Sequence, residues 1–305
     1  MSTSTQDARG GSVPHTEQEI ASQPDCWRRA VALAPAVAEA LPRPGERVAV
    51  TGCGTSWFIA QSYATLRERA GLGETDAFCA SEWPAGRRYD RVLALTRSGT
   101  TTEVLDLLGA LRGTVPTVAI TADPATPVMT LADDVVVLDF ADEKSVVQTR
   151  FATSQLALLR THLGEKLDAA IADAGRALTE HLPAELIEAE QFTFLGRGWT
   201  VGIAAEAALK MREAATAWTE SYPAMEYRHG PISITGPGRI AWMFGELPPG
   251  LAEQVAATGG TVVTSPLDPM ADLIRAQRLA VAIATAKGND PDQPRNLTRS
   301  VILTQ

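Results

Sequence analysis

Apolar residues in this chain form two kinds of run. Arg47-Val48-Ala49-Val50, Arg91 to Leu95, Val115 to Ile120 and Asp134 to Leu138 are short and almost continuous, as strands covered on both faces should be. Between them the spacing turns helical. Glu19 to Leu41, interrupted near Pro24, places Trp27, Val31, Leu33, Val37 and Leu41 on one face, and Ser56 to Arg69 and Glu103 to Leu111 follow the same period. The alternation predicts a parallel sheet with helices on both sides. Thr149 to about Glu190 reads as helix with a break at Pro183. Phe192 to Leu195 then reads as a strand running into a long helix that reaches Trp218. Strands at Arg239 to Phe244 and Thr261 to Thr264, a helix from Asp272 to Ala286 and an irregular end, Asn289 to Gln305, complete the pattern.

The two halves repeat one another. Gly52-Cys53-Gly54-Thr55-Ser56 and Gly196-Arg197-Gly198-Trp199-Thr200 lie 144 residues apart, and Ile59/Ile203, Ala60/Ala204 and Ala64/Ala208 fall into step behind them. Each is a strand, a glycine turn and a helix, so one α/β unit is used twice. A length of 305 residues suffices for two such units.

Composition narrows the function. Twenty-seven basic against 36 acidic residues give a net charge of −9, which argues against a nucleic-acid surface and against an anionic membrane. Cys26, Cys53 and Cys79 are odd in number and lack metal-type pairing, so neither a disulfide framework nor a zinc site is expected and a reduced, cytoplasmic home is. No apolar run approaches the ~18 residues of a spanning helix. The first residues read as a tail.

Candidate chemistry sits at the strand ends. In a doubly wound sheet, ligands bind beyond the carboxyl ends of strands, where helix N-termini and exposed N–H groups favour phosphate. Ser56, Ser98 and Thr101 stand there, with short hydroxyl side chains beside Gly54 and Gly99; the usual work of such residues is helix capping. The G-x-G-x-x-G pattern is absent, which disfavours a dinucleotide. In the second half Glu206, Lys210 and Glu213 share one helix face. Ile203, Ala207 and Ala214 beside them predict partial burial, which raises a glutamate toward a useful general base. His229, fixed by Gly230-Pro231, is a proton carrier of the kind that serves sugar oxygens.

With these residues in view, the chain resembles the sugar isomerase (SIS) domain family, most closely the isomerase half of its glutamine:fructose-6-phosphate amidotransferases. The resemblance runs through Glu19-Ile20-Ala21-Ser22-Gln23-Pro24, the Gly52 turn, Ser98-Gly99-Thr100-Thr101, Phe194 to Gly198, Glu206 to Glu213, His229-Gly230-Pro231 and Asp292 to Leu297. It implies an α/β fold of two tandem SIS domains, each a parallel sheet flanked by helices in a doubly wound αβα sandwich. The boundaries expected are a disordered tail at 1–18, a first SIS domain with the phosphate cradle at 19–165, a helical linker at 166–190, and a second SIS domain with the catalytic helix and a C-terminal lid at 191–305. It further implies Thr55, Ser56, Ser98 and Thr101 as sugar-phosphate ligands and Arg97, Val146 and Arg299 as further substrate-facing positions. Glu213 is implied as the base moving a proton between C1 and C2. Glu206 and Lys210 match other active-site positions, and His229 is implied as the group that opens the ring, contributed by the neighbouring subunit of a homodimer.

Some positions depart from the family pattern. Nothing that reads as a glutaminase precedes Glu19. Arg299 replaces a lid lysine and, permanently protonated, cannot form an imine. Thr96-Arg97 replaces Ser-Gln, and Val146-Val147-Gln148-Thr149 lacks a serine of the family's substrate loop. The expected activity is isomerising deamination of glucosamine 6-phosphate to fructose 6-phosphate and ammonia, with neither metal nor organic cofactor. An aldose–ketose isomerase, a ketosamine 6-phosphate deglycase and a non-catalytic sugar-phosphate sensor are the alternatives.

Overall fold

The computed structural model describes residues 13–303. In chain order its elements are α1 (His15–Ala21), α2 (Gln23–Val37), β1 (Val48–Gly52), α3 (Thr55–Arg69), β2 (Thr75–Cys79), β3 (Arg91–Leu95), α4 (Thr102–Leu111), β4 (Thr117–Thr121), α5 (Val128–Leu131), β5 (Asp134–Val137) and α6 (Arg150–His162). There follow α7 (Asp168–Thr179), α8 (Ala184–Ile187), β6 (Gln191–Gly196), α9 (Thr200–Ala215), β7 (Trp218–Pro223), β8 (Arg239–Met243), α10 (Leu251–Ala257), β9 (Thr261–Val263) and α11 (Pro269–Ala286).

Among the described residues two sheets form, ordered β2-β1-β3-β4-β5 and β7-β6-β8-β9, and every pairing is parallel. The central strands are buried along their whole length. Alternate residues serve opposite layers: Val50, Leu93 and Ile120 face the inner core, Ala49, Val92 and Ala119 the outer one. The inner cluster is shared. It runs from Val50 and Leu93 through Tyr63 of α3 and Met211 of α9 to Phe194 and Trp242 of the second sheet, so the helices α3 and α9 pack against each other between the sheets. Gly202 permits this approach, since a Cβ there would collide with the Phe58 carbonyl and the Ser62 hydroxyl.

Several elements differ from the sequence expectation. β2 and β7 were not anticipated, because both are edge strands with partly exposed, polar-interrupted sequences, Thr-Asp-Ala-Phe-Cys and Trp-Thr-Glu-Ser-Tyr-Pro. Trp218 accordingly opens a strand, and α9 stops at Ala215 where Thr216 turns left-handed with φ 48°. The short helices α5 and α10 were also unexpected. Residues 15–18, read as part of a tail, are helical: Asp292 accepts hydrogen bonds from the His15 and Thr16 amides at 2.8 and 2.7 Å and from the Thr16 hydroxyl at 2.6 Å, tying α1 to the far end of the chain. Residues 1–12 of that expected tail lie outside the described residues.

Candidate active site

The turn from β1 into α3, the turn from β3 into α4, the loop 142–149, α9 and the segment 297–301 converge on a small cavity of about 170 Å³. Seven of the eleven residues singled out from the sequence line it: Thr55, Arg97, Thr101, Val146, Lys210, Glu213 and Arg299. Larger hollows exist. A groove of about 570 Å³ beside α1, α7 and α11 is mostly apolar. Another of about 510 Å³, at the strand ends of the second sheet, is lined by Arg69 and Arg197. Neither gathers a lysine with carboxylates and hydroxyls.

At one side of the small cavity the alanine-rich helix α9 carries the acid–base set. The Lys210 ammonium donates to Thr55 Oγ1 at 3.1 Å and to the Glu213 carboxylate, and lies 3.5 Å from Glu206 Oε1. Glu206 and Lys210 are almost wholly buried, while the Glu213 side chain keeps 18% of its surface. Burial pushes Glu206 up to about 7 against the pull of Lys210, whose ammonium lies 3.5 Å away. Burial alone would depress Lys210, but Glu206 and Glu213 together hold its pKa above the ordinary lysine value. The result is an ammonium ion that fixes the partly accessible Glu213 at the cavity wall.

At the other side stand hydroxyls. Ser98 Oγ and Thr100 Oγ1 donate to Ser300 Oγ at 3.1 and 3.0 Å, and Thr101 Oγ1 lies 3.3 Å from the same atom. Just behind, the first amide of α4, on Thr102, donates to the Val301 carbonyl at 3.1 Å. The C-terminal segment thus occupies both the hydroxyl cluster and the positive end of α4. Gly99 makes the turn possible: its φ is 61°, and a Cβ would collide with Thr126.

Arg97 holds these parts in register. Its guanidinium, almost wholly buried, pairs with Glu143 Oε2 at 3.1 Å and donates to the carbonyls of Ser145, Val146 and Arg299 at 3.2, 2.9 and 3.2 Å. The Arg299 side chain turns back to the Asp142 carboxylate and the Glu143 carbonyl.

The remaining expected residues lie elsewhere. Ser56 is buried and packs against Gly52, and Ser98 meets the cavity through Ser300. Glu206 lies behind Lys210. His229 is exposed on a 3₁₀ turn, Glu226–His229, and is not among the lining residues of this one chain. Cys53 does line the cavity, but burial raises its thiol to about 11, which leaves it protonated. Sequence reasoning did not name Thr100, Gln148, Leu297, Thr298, Ser300 and Val301 as site residues; the first three lie in segments quoted for the resemblance, while Thr298, Ser300 and Val301 carried no signal beyond lying near Arg299. Among the described residues no group of three or more His, Cys, Asp or Glu side chains is placed to hold a metal ion, and no helix is long and apolar enough to cross a membrane.

Comparison with known proteins follows the same line. No family model matches the chain. Glutamine–fructose-6-phosphate aminotransferase (isomerizing) of Sulfurisphaera tokodaii is 27% identical over 295 residues, covering 84% of this chain and 50% of that protein. The chain therefore spans about half the length of the curated relatives it matches. Among solved structures, a glucosamine-6-phosphate deaminase from Thermotoga maritima superposes with a TM-score of 0.79 at 24% identity, covering 95% of this chain and all of that one. The C-terminal domain of glucosamine-fructose-6-phosphate aminotransferase from Francisella tularensis gives 0.79 at 21%, covering 94% and 100%. The two structural likenesses show a common fold.

Proposed function

We propose that this chain, homologous to the sugar isomerase (SIS) part of glutamine–fructose-6-phosphate aminotransferases, is an enzyme converting glucosamine 6-phosphate and water to fructose 6-phosphate and ammonia. One observation carries the reading: Lys210 and Glu213 stand across a single small cavity from the Thr101 hydroxyl and the start of α4. A hexose 6-phosphate reaches both ends of such a site. The phosphate takes the place of Ser300 among the hydroxyls of Ser98, Thr100 and Thr101, at the positive end of α4.

In the open-chain substrate the C1 carbonyl acidifies the C2–H bond. Glu213 removes the C2 proton, giving an enolamine, and returns it to C1; the C2 imine so formed is hydrolysed by water, releasing ammonia and leaving the ketone. Lys210 keeps Glu213 oriented, and with Thr55 supplies donors to substrate oxygen as charge develops there. Arg299 needs no imine in this scheme. Its guanidinium anchors the C-terminal segment to Asp142 and the Glu143 carbonyl.

His229 belongs to the scheme as a ring-opening group only if a second copy of the chain delivers it, and its exposed position supports a homodimer that shares it. The two parallel sheets of like strand order support reading 19–165 and 191–305 as tandem SIS domains joined by 166–190, in a cytoplasmic protein. The same proton transfer on a substrate with a C2 hydroxyl is aldose–ketose isomerisation, which the Lys210–Glu213 pair serves equally well.

The test is release of ammonia and fructose 6-phosphate from glucosamine 6-phosphate, wild type beside Glu213→Gln. Both products, lost in the variant, support deamination with Glu213 as base. Isomerisation of glucose 6-phosphate without ammonia from the amine supports the second reading, and binding without any turnover removes the catalytic one.

A further inference from the structure

The glycine turn at Gly196 repeats the one at Gly52, yet the scheme above gives it no work. The sheets carry the same correspondence: β6 lies between β7 and β8 as β1 lies between β2 and β3. In each sheet the chain leaves one inner strand toward one edge, β1 to β2 and β6 to β7, and leaves its neighbour toward the other, β3 to β4 and β8 to β9. Between the carboxyl ends of such a pair the connections diverge and open a crevice, the usual place for a ligand in an open α/β sheet. In the first sheet that crevice is the candidate active site, with Thr55 following β1 and Arg97 following β3. In the second it is the hollow of about 510 Å³, with Arg197 and Trp199 following β6 and Glu246 following β8.

The charge gathered there is mostly positive and unanswered. Arg69, the last residue of α3, brings its guanidinium over the turn: its Nη1 lies 3.9 Å from the position a Cβ on Gly198 would take. Arg197 belongs to the turn itself. Arg91, Arg97, Arg160 and Arg275 each pair with a carboxylate. Among the described residues Arg69 and Arg197 pair with none, and Glu246, though it lines the same hollow, is in ion-pair contact with neither. Like charges brought together without a counterion repel, and a guanidinium fork matches the oxygens of a phosphate.

We propose that this crevice is a second binding site, for a phosphorylated sugar or polyol whose phosphate lies between Arg69 and Arg197 and whose hydroxyls donate to the Glu246 carboxylate. A bare anion would leave most of the hollow unfilled and would meet Glu246 as a like charge. A ligand with hydroxyl donors turns that carboxylate into a partner, and the volume lies in the range of small-molecule sites. Lys210 and Glu213 are not among the lining residues, so the proposal is for binding and does not depend on the reaction assigned to the first cavity.

The experiment is titration calorimetry of the full chain with glucose 6-phosphate and with inorganic phosphate. Thr101→Asp keeps a capping side chain at the start of α4 and sets a negative charge in the first cavity, so binding that survives it reports on the second site. On that background Arg69→Met with Arg197→Met is expected to weaken glucose 6-phosphate by about tenfold or more, while Arg88→Met with Arg112→Met, two exposed arginines outside the hollow, stays within about twofold. Replacing Arg69 and Arg197 by Lys keeps the charge without the fork and guards against a methionine variant that misfolds; an intermediate loss is expected. Glu246→Ala should weaken glucose 6-phosphate and leave inorganic phosphate no weaker; tightening of both ligands overturns the hydroxyl contact. Binding that Thr101→Asp abolishes, or that is indifferent to Arg69 and Arg197, overturns the second site, as does an equal loss in the Arg88 and Arg112 control. Binding indifferent to Thr101→Asp but lost with the two arginines supports the second site and counts instead against the phosphate cradle of the first.

Discussion

Lys210 donates a hydrogen bond to Thr55 across 155 positions of chain, at 3.1 Å, joining the helix that follows β6 to the first residue of the helix that follows β1. This contact decides where the acid–base chemistry sits. The ammonium is taken from water by the crossing of α3 and α9, and its charge is answered by Glu206 and Glu213. Without the cation, two carboxylates would face each other in a space with no other positive group within ion-pair distance of either among the described residues.

Replacing Lys210 by Met is therefore expected to destabilise the fold by about 3 kcal/mol or more, since it leaves buried charge uncompensated. It should also cut turnover at least a hundredfold. Urea unfolding beside the ammonia assay measures both. An unchanged unfolding midpoint would mean that the ion pair carries no structural weight.

Glu206 gives stability a dependence on pH with a definite sign. Its pKa in the fold, about 7, exceeds the ordinary 4.5, so the unfolded chain loses this proton first. Between those values the folded state binds more protons than the unfolded, and its stability falls as pH rises. The contribution is fully present below about pH 4.5 and lost through pH 7. Glu206→Gln has no such proton, so the stability difference, wild type minus variant, should decline by roughly 3 kcal/mol across that window and stay flat above it. Chemical denaturation at a series of pH values tests this; a difference independent of pH would contradict it.

The parts of the structure legible in the sequence are those whose cause is local. β1, β3, β4 and β6 are buried on both faces and read as apolar runs; the spacing of Glu206, Lys210 and Glu213 is fixed by the helix period. β2 and β7 are edge strands whose exposed positions are polar, so no run marks them. α1 begins where it does because Asp292, 276 positions away from Thr16, caps it. The site divides in the same way. Ser98 and Thr101 could be seen at a strand end, but Ser300, which joins them, is 202 positions from Ser98, and no periodicity links the two. Ser56 shares the helix start with Thr55 yet turns beneath Gly52 into the interior, a difference of one helical position that only packing settles.

Cys53 looks from its place in the cavity like a nucleophile, and its surroundings say otherwise. Burial, assisted by the charge of Glu103, raises its thiol to about 11, so roughly one molecule in a thousand carries the thiolate at pH 8. Native protein should react with a maleimide at this position far more slowly than unfolded protein, and Cys53→Ala should keep nearly full turnover. Rapid labelling of Cys53 in the native state, followed by peptide mapping, would show the cavity to be more polar and open than its geometry states.

Ser300 yields the last prediction. Its oxygen accepts from Ser98 and Thr100 and lies within hydrogen-bond distance of Thr101, in the place where the proposed substrate would bring a phosphate oxygen. Three hydroxyls cannot serve both, so the substrate must displace Ser300, and its observed affinity is lowered by whatever holds the serine there. Ser300→Ala removes the competing oxygen while the carbonyls of Arg299 and Val301 keep the segment attached to Arg97 and α4. The variant should bind inorganic phosphate and glucosamine 6-phosphate several-fold more tightly than wild type, at a net worth of about 1 kcal/mol for the hydrogen bonds released. If instead Ser300 contacts the substrate after moving aside, the same substitution weakens glucosamine 6-phosphate, and the competition argument fails. Calorimetry with both ligands separates the two, because inorganic phosphate reports on the cradle alone.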